Sequence, residues 1–280
     1  MPGNREGPDV HSPSRRRLLA AVGTAALGGV ASGRPARQPP RLAVSVHPDA
    51  RFGWNGTTRA ARDAVRVGVE QVATRAEHSL DLRVETSVTA GEPVPPDAVS
   101  TTDQQALFDS VERWLRDRDA YDDGACHLYL PRLPFDQVLG YGAANRDVAS
   151  GGAVAFANLG ATELWDDRAV SKNMAVHEWL HTVLRPDIAA AVNGSRCEHD
   201  LGAVARRDVA TVVVTPLATS YADTTLVGGE TRWHGSGCYD HESFSVHDGR
   251  ELRPRYWTHT WQLSDATLRA TTRYVDEHLR

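Results

Sequence analysis

The sequence predicts an α/β (α+β) fold: a mixed sheet with two covering helices, a further helix bearing a histidine motif, and a smaller, irregular C-terminal lobe ending in a helix. Three observations predict it. Strand-like alternation and helical apolar spacing succeed one another as strand, helix, strand, helix, strand, strand, helix up to residue 184. Beyond Pro186 the chain grows richer in Gly, Ser, Asp and His and holds one clear strand. With 280 residues, 41% hydrophobic and 24% charged, it can bury one sizeable core.

Residues 1–33 read as a signal peptide. Ser14-Arg15-Arg16-Arg17 is followed by the apolar run LLAAVGTAALGGVA and small residues around Ala31-Ser32-Gly33. Paired arginines after Ser14 point to twin-arginine-type export, hence to a secreted or extracytoplasmic protein, with an N-terminal membrane anchor as the alternative. After processing no stable membrane insertion is expected. Residues 34–41, RPARQPPR, form a proline-rich spacer that cannot join a core, so the folded part is expected over 42–280.

LAVSVHP then alternates as a strand, and Val65, Val69, Val72 and Ala76 recur at helical spacing from Thr58 to about His78. LDLRVETSV reads as a second strand and GEPVPPDAVS as a loop. Thr102 and Gln105 have capping-box spacing ahead of Leu107, Phe108, Val111, Trp114 and Leu115, which predicts a second helix to about Arg118. ACHLYLPRL is a third strand, LGYGAAN a glycine-rich turn and GGAVAFANLG a fourth strand. Ser171 is positioned to cap a helix through KNMAVHEWLHTVL that Pro186 stops. ATVVVTPL is a later strand, and a last helix is expected from Ser264 with Leu268, Val275 and Leu279 on one face.

On the histidine-bearing helix, His177 and His181 lie one turn apart on one face, so two imidazoles can converge on one ion. Glu178 sits one position round, within reach of a water on that ion without occupying it. Two histidines do not complete a site. Asp187 follows His181 by six residues, but a close approach there needs a sharp turn, and Leu184 stands where glycine would serve. Asp187 is equally explained as a first-turn carboxylate of the short helix DIAAAVN. SRCEHDLG supplies Glu198 and His199, and His199 would make a three-histidine site with one position open.

The run GYGAAN…GGAVAFANLG followed by VHEWLHT resembles the N-terminal lobe of HExxH zinc metallopeptidases (zincins) of the metzincin type, over residues 42–200. In such proteins EHD closely follows the zinc helix; here about a dozen residues intervene. The resemblance implies a zincin-like two-lobed domain, an upper lobe over 42–185 and a lower over 186–280. It implies Zn²⁺ on His177, His181 and His199, Glu178 as general base, and a peptide or protein substrate extended along an edge strand near GAVAFANLG. The methionine turn of that family has no methionine here; TPLATSY is the candidate segment, with Leu217 in the methionine position and Tyr221 near the site.

An exported zinc-dependent metallopeptidase, an endopeptidase by class, is therefore the expected function. The alternatives are a secreted non-catalytic domain stabilised by metal and a zinc hydrolase of non-peptide amides. Net charge of −5 gives no reason to expect nucleic acid as a partner. Of Cys126, Cys197 and Cys238, the last two are the expected disulfide in an oxidising compartment. RWHGSGCYDHESFSVHDG reads as a solvated loop in which His234 and Tyr239 are candidate oxyanion donors. Trp233, Trp257 and Trp261 are expected in the core of the small lobe.

Overall fold

A five-stranded sheet frames the computed structural model, which describes residues 38–136, 138–162, 168–221, 223–226, 229–232 and 256–280, leaving aside the side chains of 220–257. The signal-peptide segment, Trp233, His234, Cys238 and Tyr239 lie outside the described residues, as do the side chains of Tyr221 and Trp257. Residues 37–280 form one compact unit, and no helix among the described residues is long and apolar enough to cross a membrane.

The chain enters as β1 (Arg41–Pro48), crosses through helix α1 (Gly56–Leu80) and returns as β2 (Glu85–Ala90). Helix α2 (Gln104–Arg116) leads to β3 (Ala125–Leu130), followed by β4 (Gly142–Ala144) and β5 (Ala153–Ala157). The sheet order is β2-β1-β3-β5-β4. Every pairing is parallel except β4 with β5, where Gly142 faces Ala157 and Ala144 faces Ala155. The segment GAVAFANLG is thus an interior strand, flanked by the edge strand near which the substrate is expected. The edge is β4, which reads as a turn because three small residues carry no alternation.

Helix α1 starts where Asn55 accepts from the Thr57 and Thr58 amides while the Thr58 hydroxyl takes the Asn55 N–H at 2.9 Å. It ends at Asp81 in the left-handed region (φ 49°). The expected stripe of Val65, Val69, Val72 and Ala76 is fully buried, each valine contributing about 1.5–3 kcal/mol. On α2 the cap is Asp103 rather than Thr102, its carboxylate accepting from the Ala106 amide at 2.7 Å.

Alternation on the strands builds two cores. Leu42, Val44, Val46, Cys126, Leu128 and Leu130 face α1 and the helix α4 (Ala169–Leu180). Tyr129, Val154 and Phe156 face the α2 stripe of Leu107, Phe108, Val111 and Trp114. Gly68 allows α1 to approach α4 closely, since a Cβ there would stand 3.0 Å from the Trp179 ring.

The rest of the chain returns to the same core. After the short helices α3 (Leu159–Thr162) and α4 comes α5 (Pro186–Asn193). Strands β6 (Val204–Arg206) and β7 (Thr211–Val214) follow, then the β8 (Asp223–Leu226) and β9 (Gly229–Arg232) hairpin. Strand β10 (Tyr256–His259) pairs parallel to β7, and α6 (Asp265–His278) closes the chain with Ser264 as the expected cap. Leu217, Leu263 and Tyr274 join the main cluster, whereas Trp261 is only partly buried, beneath the ammonium of Lys172 at 4.0 Å.

The α2 side of the sheet buries a histidine pair. His47 Nδ1 bonds the Glu92 carbonyl at 3.1 Å, and His47 Nε2 meets His127 Nδ1 at 3.3 Å. His127 Nε2 accepts the Asp122 amide at 3.0 Å. One tautomer set satisfies this chain: both rings neutral, each protonated on Nδ1. Burial, then the neighbouring ring, holds His47 down to about 4, and burial also lowers His127. Both rings bind a proton more readily unfolded than folded, so their contribution is complete above the ordinary histidine range near pH 6.5 and falls with pH below it, that of His47 being lost as pH approaches 4. For His47 the loss is on the order of 3 kcal/mol. Urea midpoints should fall between pH 7 and pH 4.5, and less so in His47→Gln; an equal fall in both proteins would clear the pair of responsibility.

Candidate metal centre

Helix α4 holds the first two histidines and is buried along almost its whole length. Its N-cap is Arg168, in the left-handed region, and not Ser171. Ser171 lies in the first turn, its hydroxyl 2.8 Å from that of Thr162, so it ties α4 to α3. The helix ends at Leu180 with His181 as its C-cap.

Past His181 the backbone does not turn sharply under the helix. Leu184 is buried and, among the described residues, the positive-φ positions do not include it. Instead Arg185-Pro186 starts α5, Gly194 reverses the chain at φ 86°, and a 3-10 turn over Glu198–Leu201 comes back to the end of α4. DIAAAVNGSRC is therefore the outward and return path that delivers the EHD segment. Asp187 stays on the outer side of that path, 60% exposed and 3.5 Å from Arg185.

Each residue of EHD takes a separate task. Asp200 is fully buried and accepts the Ser195 hydroxyl at 2.5 Å, while the Ser195 oxygen takes the Cys197 amide. Cys197 is disulfide-bonded, and Cys126 is a buried free thiol. Glu198 takes up His181 Nδ1 at 2.6 Å. His199 brings its Nε2 to 3.1 Å from His181 Nε2 and 3.3 Å from His177 Nε2, with the two helix nitrogens 3.1 Å apart.

This triangle fits an HExxH-type zinc site. His177 Nδ1 donates to the Pro216 carbonyl at 2.7 Å, and His181 Nδ1 donates to Glu198, so both rings turn an unprotonated Nε2 inward. Lone pairs 3.1 Å apart repel unless a cation lies between them. Nitrogens bound to one tetrahedral zinc at 2.0–2.1 Å stand about 3.3 Å apart, and the three edges match that spacing.

The electrostatics favour neutral, metal-ready rings. Burial, then the charge of His181, lowers His177 to about 3, and burial carries His199 well below its usual range. His181 is the exception: burial opposes its charge, but the Glu198 carboxylate outweighs burial and raises it. Glu178 is 4% exposed, and burial pushes its carboxyl up to about 7 against the pull of His181. Its Oε1 lies 2.5 Å from where a Cβ on Gly142 would stand, which puts the edge strand β4 against this carboxylate.

Two supports were not legible as site residues. The Pro216 carbonyl belongs to a 3-10 turn, Pro216–Tyr221, in which Leu217 is fully buried among core residues that include Met174 and Leu180. A backbone acceptor leaves no side-chain signature. The second support is Ser264, whose hydroxyl, with that of Thr267, donates to the Leu201 carbonyl at 2.5 and 3.0 Å. It clasps the His199 turn to the start of α6.

Removing His199 should separate it from its rivals. His199→Ala is expected to weaken zinc affinity at least a hundredfold, whereas Asp187→Ala leaves it unchanged. Competition with a chromophoric chelator reads both, and equal losses would return Asp187 to the ligand set.

No family model matches the sequence, and no curated protein matches it. Among solved structures, metalloproteinase-II from Bacteroides fragilis aligns over 52% of this chain and 42% of its own, at 14% identity and a TM-score of 0.34. The chain thus spans about two fifths of that enzyme's length. A zinc-dependent peptidase from Methanocorpusculum labreanum aligns over 50% of this chain and 80% of its own, at 11% identity and a TM-score of 0.31. A chaperone-substrate complex aligns over 84% and 35%, at 14% identity and a TM-score of 0.34.

Proposed function

We propose that the chain is an exported zinc-dependent metallopeptidase in which His177, His181 and His199 hold the ion and Glu178 is the general base. The observation that carries the reading is the convergence of three imidazole Nε2 atoms at 3.1–3.3 Å, with two of the rings oriented from behind. When bound, zinc polarises a carbonyl and acidifies a water molecule. The protein supplies the rest.

Glu178 takes the proton from the attacking water and passes it to the departing amine, so one carboxyl serves first as base and then as acid. The edge strand β4 offers backbone groups to an extended peptide, which would add as a further strand. Because Gly142 on β4 adjoins Glu178, a peptide docked there passes in front of the carboxylate. The basic and apolar segment before residue 34 and the disulfide at Cys197 support export to an oxidising compartment.

The test is hydrolysis of a broad peptide library, extended to small non-peptide amides, by the zinc-loaded chain with and without chelator. Chelator-sensitive cleavage inside peptides is the expected result. Cleavage of small amides alone would replace the substrate class, and no cleavage of any kind would sink the enzyme reading and leave a metal-stabilised binding domain.

A further inference from the structure

We infer that Asn173 and Thr219 form a positioning pair that fixes the metal site from behind by hydrogen bonds. The inference rests on the three-histidine reading. Asn173 lies four residues before His177, on the same face of α4 one turn earlier. It is fully buried. Its amide nitrogen donates to the Thr260 carbonyl at 2.6 Å and the Val214 carbonyl at 3.2 Å, and its oxygen accepts the Thr219 hydroxyl.

These bonds give α4 two attachments to one turn. Thr219 on Asn173 is the first, and Pro216 on His177 is the second. A turn held at two points one helical repeat apart cannot slide or rotate along α4, so the Pro216 carbonyl stays where His177 Nδ1 needs it.

The same turn also fixes the third histidine. Thr215 and Ala203 bond each other twice, Thr215 N–H to the Ala203 carbonyl at 3.0 Å and Ala203 N–H to the Thr215 hydroxyl at 2.8 Å. Gly202 approaches so closely that a Cβ there would stand 2.2 Å from the Ala218 nitrogen. Gly202 and Ala203 directly follow the His199 turn. Displacing Thr219 therefore loosens the ring of His177 and the backbone behind His199 together, and the triangle of nitrogens opens along the edges that His177 and His199 define.

Thr219→Val keeps the shape, deletes the hydroxyl and leaves the Asn173 oxygen without that donor, while Thr219→Ser keeps the hydroxyl. In the full chain, Thr219→Val should weaken zinc affinity ten- to a hundredfold by chelator competition. The visible absorption of the cobalt-substituted protein should shift and weaken, as tetrahedral geometry is lost. Thr219→Ser should restore affinity to within about threefold and recover the wild-type cobalt spectrum. Thr219→Ala is the second variant if Thr219→Val does not fold.

A lowered melting temperature with unchanged zinc affinity and cobalt spectrum would make the pair merely structural and overturn the inference. A wild-type chain that binds zinc no more tightly than His177→Ala would instead overturn the three-histidine reading, and the inference with it. The wild-type measurement distinguishes the two failures.

Discussion

Glu178→Ala is expected to retain zinc and fold while losing peptide hydrolysis by a factor of about 10²–10⁴, the usual worth of a positioned general base. The carboxylate is not among the three convergent nitrogens, so its removal leaves the ion's donors intact. In the zinc-free chain stability should change little: burial raises the carboxyl to about 7, so at neutral pH and above its removal relieves a buried charge and offsets the cavity left behind. Glu178→Gln, closer in shape, should match the alanine variant in rate. A variant that keeps its zinc and still cleaves at the wild-type rate would refute the assignment.

Gly142→Ala is expected to be nearly as damaging to the rate, and for a different reason. A Cβ there would stand 2.5 Å from both Glu178 Oε1 and the Phe156 carbonyl oxygen. The carbonyl belongs to the interior strand β5 and cannot move without disturbing the β3 ladder. Either Glu178 leaves its position or β4 parts from β5. Hydrolysis should drop at least tenfold, with a stability loss of about 1–3 kcal/mol from overpacking. Zinc affinity should stay near wild type, because the atoms nearest the new methyl group are the Glu178 carboxyl and the Phe156 carbonyl oxygen. Wild-type kinetics in Gly142→Ala would show that β4 and Glu178 do not share the reacting space.

Much of this site could be read from residue spacing. His177 and His181 are one helical turn apart, and a helix capable of carrying them was visible in its apolar content, although it ends at Leu180 instead of running on to Pro186, which opens α5. His199 was reachable because Leu184 made a sharp turn toward Asp187 costly, and the structure makes its reversal at Gly194 instead. Glu198 was legible only as another oxygen donor. Its place behind His181 follows from a rule of metal sites, that a ligating imidazole gives its other nitrogen to a carboxylate or carbonyl.

What was hidden has physical reasons. Strand β4 is three small residues long, too short for any period to register. The support for His177 is a main-chain oxygen, and the sequence pattern of Pro216 says nothing about where its carbonyl points. The cap of α4 fell on Arg168 because the Ser171 hydroxyl was drawn to Thr162, a tertiary partner that outranked local propensity.

The clasp on the Leu201 carbonyl links two parts of the chain that share no ligand. Ser264 and Thr267 can hold that oxygen only while the His199 turn is in place, so an ion that fixes His199 also resists opening of the first turn of α6. By linkage, the opening free energy of that turn rises with zinc concentration. Amide hydrogen exchange at Leu268, whose N–H bonds the Ser264 carbonyl at 2.9 Å, then becomes a reporter of metal occupancy some seventy residues along the chain from His199.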